Sequence, residues 1–236
     1  MELQNSNFIC TLLRSAKNGK ISSFVELVNL TMKRNYAFSL ILLGEKKISG
    51  EIVKSAYFQL WKEMGNYDID YPLSIKIIEL MMPYLIQYNE SKNQKAETIF
   101  PTEIERILFK QPFDVKLIFL LHEIEKLSFD EIRLVLKTSS IEDIINLSEI
   151  ARANILGAYN SCFVDELVAN LTMIYNGFNV PEEIRRELSE MLYNEALIKQ
   201  SQKSVHVDTS SKKIGFFQHN SGSKPVRYDA GNSWFD

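Results

Sequence analysis

Residues able to do covalent or metal chemistry are few in this chain, and they are scattered. Cys10 and Cys162, its two cysteines, lie far apart without C-x-x-C spacing and read as free buried thiols. His122 falls in an apolar helical stretch and reads as a half-buried or helix-end imidazole, while His206 and His219 lie in a polar C-terminal tail. The nine glycines form no phosphate-cradling loop, and no G-x-S-x-G, H-E-x-x-H or paired-carboxylate arrangement is evident. No catalytic residue, metal or cofactor is expected, so the chain reads as a non-enzyme. What remains is recognition chemistry, concentrated between 137 and 152. Lys137 and Arg152 could each neutralise a phosphate and Asn146 could read an adenine edge, whereas Glu142 and Glu149 would repel a nucleic-acid backbone.

The elements that must position these residues are helical. Leu117, Leu120, Leu121 and Ile124 recur at i, i+3, i+4 and i+7, with Val115, Ile118 and Phe119 on the neighbouring stripe, so the helix after Gln111 belongs in a core. Ser128 and Glu131 form a capping box that starts a second helix, with Ile132, Val135 and Leu136 facing inward. Lys137-Thr138-Ser139-Ser140 breaks it, and a third helix, from about Ile141 to Leu156, starts on a Ser cap with Ile141, Ile144, Leu147 and Ala151 inward. Two core helices and a capped turn followed by a third helix are the pattern of a helix-turn-helix. Upstream, Ser23 and Glu26 read as another capping box, opening a long helix to Gly44. Val53, Ala56, Tyr57, Leu60 and Trp61 share one face of the next helix, a core stripe with an aromatic anchor.

The segment holding Pro112, Lys116, Phe119-Leu120-Leu121, Leu127-Ser128 and Glu131-Ile132 resembles the promoter-binding C-terminal domain of the extracytoplasmic-function class of bacterial sigma factors. Ser49 to Trp61, in which Glu51, Ile52, Val53, Leu60 and Trp61 match and Tyr57 and Phe58 fill the aromatic end, is similar to that family's polymerase-docking helix, A-E-D-L-V-Q-E-V-F-L-x-L-W. Asn18 to Phe24 resembles the family's opening, and the likeness spans about residues 8–156. It implies docking on the RNA polymerase core through Glu51, Lys54, Ser55, Phe58 and Trp61, and promoter contact through Lys137, Ser139, Ser140, Glu142, Asn146 and Arg152.

Departures from the family pattern are concentrated at those same places. Ser49, Gly50 and Lys54 stand where the docking helix carries acids and a glutamine, leaving Glu51 as its acidic residue. Leu73 to Pro83 lacks the tryptophan and the basic and amide groups that capture the promoter strand. The third helix carries Glu142 and Glu149 where lysines and arginines are the rule, so duplex DNA contact is expected to be weak or assisted.

Composition agrees with an all-α reading: 236 residues, 45% hydrophobic, with six prolines and a net charge of −3 that attracts neither nucleic acid nor an anionic membrane. The N-terminus lacks a signal-peptide pattern and no apolar run approaches a membrane span, so a cytoplasmic location is expected. The expected organisation is two small helical modules, 1–86 and 102–156, joined by a polar linker at 87–101, then a helical hairpin at 157–199 and a flexible tail at 200–236. The hairpin, turning at Asn176-Gly177 with Pro181 in the first turn of its second helix, is acidic. It weakly resembles the helical part of anti-sigma domains without their zinc ligands, and reads equally as an extension of the second module's core. The tail keeps Phe216, Phe217, Tyr228, Trp234 and Phe235, which suit either a partner-binding peptide or plain disorder. Two functions stay open: a transcription initiation subunit acting on polymerase core and promoter DNA, or a sigma mimic that binds a regulator such as an anti-sigma factor by protein contact.

Overall fold

Ile21–Leu43, α2, is the helix on which the others are arranged, and its sequence says why: every residue from Asn35 to Leu43 is buried, so it must be surrounded. In the computed structural model, residues 2–91, 102–138, 140–159 and 164–210 are described, and every regular element among them is a helix. The protein is all-α. The chain forms two compact units, Met1–Leu197 and Ile198–Asp236.

α1 (Glu2–Lys17) packs back on α2. The expected Ser23–Glu26 capping box does not form. The helix begins earlier, at Ile21, so Ser23 lies inside its first turn, where its hydroxyl donates instead to Ser15 Oγ at 2.9 Å. At the other end Gly44 adopts φ +73°, and its N–H closes on the Leu40 carbonyl at 2.7 Å, the left-handed cap that glycine permits. α3 (Lys46–Glu63) and α4 (Leu73–Ser91) complete the first half. α4 runs through the start of the expected linker, and residues 92–101 lie outside the described part.

α5 (Glu103–Lys110) opens on a Thr102–Glu105 capping box. α6 (Phe113–Phe119) continues through a wider, π-type turn, Leu120–Ile124, in which the Glu125 N–H reaches the Leu120 carbonyl. α7 (Phe129–Leu136) starts on the expected Ser128–Glu131 box, with Ile132 and Val135 buried. α8 (Ile141–Tyr159) starts with the Asp143 N–H on Ser140 Oγ at 3.1 Å and packs across α6 and α7. α9 (Val164–Gly177) and α10 (Glu182–Ser210) follow, with the Ile184 and Arg185 N–H groups closing on the Pro181 carbonyl. No Gly or Pro interrupts α10, which stays helical past residue 200, where the sequence suggests a flexible tail. Phe216, Phe217, Tyr228, Trp234 and Phe235 lie outside the described residues.

Two polar bridges tie the halves of the first unit together. Lys116, 5% exposed, donates from Nζ to the Leu42 carbonyl at 2.9 Å, placing a cation at the C-terminal end of α2, and its ammonium lies 4.8 Å from the Phe109 ring. Arg34 of α2 donates from Nε to Glu125 Oε2 at 2.6 Å and also to the Ile124 carbonyl at 3.0 Å. Burial pushes the Glu125 carboxyl above its ordinary range, with Arg34 opposing. α9 packs on α2, on the π-type turn and on α8, burying Leu167, Leu171 and Tyr175, so the C-terminal hairpin adds to the core of both halves.

Candidate docking and nucleic-acid faces

α3 is built as a buried stripe with a charged shoulder. Ile52, Val53, Ala56, Tyr57, Leu60 and Trp61 turn into the core, where the Tyr57 hydroxyl meets Thr31 Oγ1 at 2.7 Å and takes the Asn35 amide at 2.8 Å. Trp61 is 3% exposed, with its ring 5.1 Å from that of Phe24. Among the five residues expected to dock, Glu51, Lys54, Ser55, Phe58 and Trp61, it alone is buried, a core anchor that supports the surface from beneath. Glu51, Ser55 and Phe58 are partly exposed, and the Lys62 ammonium sits 4.5 Å over the Phe58 ring.

Lys54 has a destination that sequence reasoning missed. Its ammonium lies between Glu51, with Oε1 at 2.9 Å, and Glu187 of α10, with Oε2 at 2.6 Å. Burial pulls the Lys54 pKa down, and the two carboxylates outweigh it, so the group lies above its ordinary value. One turn earlier, the backbone at Gly50 is covered by Ile184 of the same helix: a Cβ added at Gly50 would stand 1.7 Å from Ile184 Cδ1. A glycine in mid-helix was the available signal for such a close approach.

The second face is the outside of α8. Its buried stripe is Ile144, Ser148, Ala151 and Ile155, one residue round from the stripe read off the sequence, so Ile141 and Leu147 are only partly buried. Glu142, Asn146 and Glu149 face solvent, as does Lys137, which caps α7 in the left-handed conformation at φ +53°. Ser140 is engaged by the Asp143 N–H, and Ser139 lies outside the described residues. Arg152 does not offer a free cation. Its Nε donates to Oε1 of Glu123, a side chain 7% exposed at the π-type turn, and His122 Nδ1 stands 3.1 Å from the same oxygen. The His122 ring itself stacks on Phe129 at 4.5 Å. This arrangement can hold a helix in place; it presents carboxylates, an amide and one lysine to the outside.

Burial drives the Glu123 carboxyl up, and Arg152 and His122 drive it down further, leaving it below its ordinary value of 4.5. A depressed carboxylate contributes stability that is fully present above the unfolded pKa and lost as pH falls through the folded one. Arg152→Ala leaves Glu123 buried beside His122 alone and is expected to cost about 1–2 kcal/mol at pH 7. In urea titrations this difference should shrink below about pH 4.5, where Glu123 protonates in the unfolded chain. A gap that stays constant with pH would show that Arg152 acts through packing alone.

Elsewhere, no group of three His, Cys, Asp or Glu able to hold a metal occurs among the described residues, and no described helix is long and apolar enough to cross a membrane. Cys10 is a free, partly buried thiol; Cys162 lies outside the described residues.

No family model and no curated protein matches this chain. Among solved structures it is similar to CnrH in complex with the cytosolic domain of CnrY, with a TM-score of 0.53 and 16% identity over 65% of this chain and 97% of that chain. It is also similar to the sigma factor RpoE in complex with the anti-sigma factor NepR from Bartonella quintana, with a TM-score of 0.50 and 12% identity over 58% of this chain and 97% of that chain. What these likenesses show is the fold: the helices have the arrangement of an extracytoplasmic-function sigma factor, in a divergent sequence.

Proposed function

We propose that this chain is a sigma-factor-like transcription protein that binds the RNA polymerase core through α3 and brings the helix-turn-helix half, 102–156, toward promoter DNA. It acts in the cytoplasm by recruitment and does no catalysis. The observation that carries the reading is α3 itself, which in a sigma-like fold keeps Glu51, Ser55 and Phe58 at the surface over the Trp61 anchor. Lys54 takes part only when its ion pairs rearrange. Promoter contact through Lys137, Ser140, Asn146 and Arg152 is weak or assisted, because Glu142 shares their face and Arg152 is engaged.

Glu51→Lys combined with Phe58→Ala changes the surface and spares the stripe beneath. Co-purification with polymerase core is expected to fall at least about tenfold, the effect of losing roughly 1.4 kcal/mol of binding. Retention equal to wild type would remove α3 as the docking surface.

A second reading has its own support: the acidic outer face of α8 suits a protein partner better than DNA. On that reading the chain is a sigma mimic that engages an anti-sigma factor or another regulator, the kind of partner with which RpoE was crystallised. Recovery of an anti-sigma protein without polymerase core from native extract would favour it.

A further inference from the structure

We infer that the first turns of α10 form a built-in cover over the Gly50–Lys54 end of the α3 docking face, so that the polymerase core engages that end only by displacing them. This rests on the docking reading above and adds its regulation. Two contacts carry it, each one helical turn from the other on both partners. Ile184 fills the space over Gly50, and Glu187 closes on Lys54; Gly50 and Lys54 are i, i+4 on α3, while Ile184 and Glu187 are i, i+3 on α10. Both contacts therefore lie within one turn of each helix, where the start of α10 meets the start of α3. Behind the contact, Leu188 and Leu192 are each 1% exposed, so this part of α10 is seated in the core.

The departures of α3 from the docking pattern acquire a physical reason here. A side chain at Gly50 would force Ile184 out of the place it holds, and a neutral or acidic residue at 54 would leave Glu187 without the Lys54 cation. Gly50 and Lys54 fit α10 at the cost of free docking charge, since Lys54 also holds both oxygens of Glu51. The ion pair at its edge is the releasable part: Glu187 is 38% exposed, and ion pairs so close to water hold weakly. A ligand whose site is open only part of the time binds with its intrinsic affinity reduced by the open fraction, so loosening α10 should tighten docking.

The test uses the full chain and leaves α3 untouched. Ile184→Ala with Glu187→Lys removes the filler and sets a lysine against Lys54; polymerase core affinity is expected to rise about tenfold. Amide hydrogen exchange of 182–192 should quicken in the wild-type protein when core is added. If the double variant melts, Glu187→Gln removes only the ion pair and should still gain about twofold to threefold. Equal affinities of wild type and variant, with exchange of 182–192 unchanged by core, overturn the cover and leave the docking reading standing. Faster exchange across α3 and 182–192 in the variant, with neither protein retaining core, overturns the docking reading and the inference with it.

Discussion

Trp61→Ala is expected to cost about 3–5 kcal/mol of folding free energy, the price of emptying a large aromatic site in a closed core. The indole is 3% exposed, leans on Phe24, and lies among Tyr57, Leu60 and Met64, which are all but fully buried. Little room exists for the neighbours to collapse, so the upper part of that range applies. Phe58→Ala, on the same helix but partly exposed, should cost only about 1 kcal/mol. Urea titrations followed by helical circular dichroism give both numbers directly. A small loss of stability at Trp61 together with lost polymerase retention would mean that the indole touches the partner, and our placement of it beneath the surface would be wrong.

The second large effect concerns nucleic acid. Because Glu142 and Glu149 face solvent on α8 and Arg152 is held by Glu123, the third helix can neutralise about one or two phosphates, chiefly through Lys137. Raising salt from about 50 to 200 mM should therefore weaken any duplex binding by the full chain by only about tenfold, against about a thousandfold or more for a protein making six or more phosphate contacts. The whole protein is the proper subject, since Lys116 and Arg34 join the two halves and an isolated 102–156 would lose both bridges. A tight complex with a steep salt slope would show that other cations converge on the duplex. Glu142→Lys with Glu149→Arg should steepen the slope by about two contacts if this face meets DNA at all.

Local chemistry explains which parts of this protein could be read without a structure. The Ser128–Glu131 box, the Gly44 stop and the Ser140 start depend on residues within four positions of one another, and all three formed. The all-helical class followed from apolar periodicity and few helix breakers, and the sigma-like arrangement followed from two motifs in order. The exposure of Glu142, Asn146 and Glu149 was also legible, because a helix with one apolar stripe leaves its opposite side in water. The same rules were available for Thr102 and Glu105, whose T-x-x-E spacing announces the box that α5 uses. Ser23 and Glu26 had the same spacing and formed no box, since the helix had already started at Ile21.

What only the tertiary structure decided are the partners of the charges. Lys54 and Glu187 are 133 positions apart, Arg34 and Glu125 are 91, and Arg152 and Glu123 are 29. No helical period relates such pairs; they meet because the burial of apolar stripes, Leu188 and Leu192 of α10 among them, sets which helices lie side by side. Hydrophobic burial is non-directional and large, so it chooses which helices touch, and each buried or half-buried charge then takes the nearest opposite one. That order of causes pairs Arg152 with Glu123 and Lys54 with Glu187, partners that spacing along one helix could not announce. Trp61, for its part, went beneath the surface its helix presents.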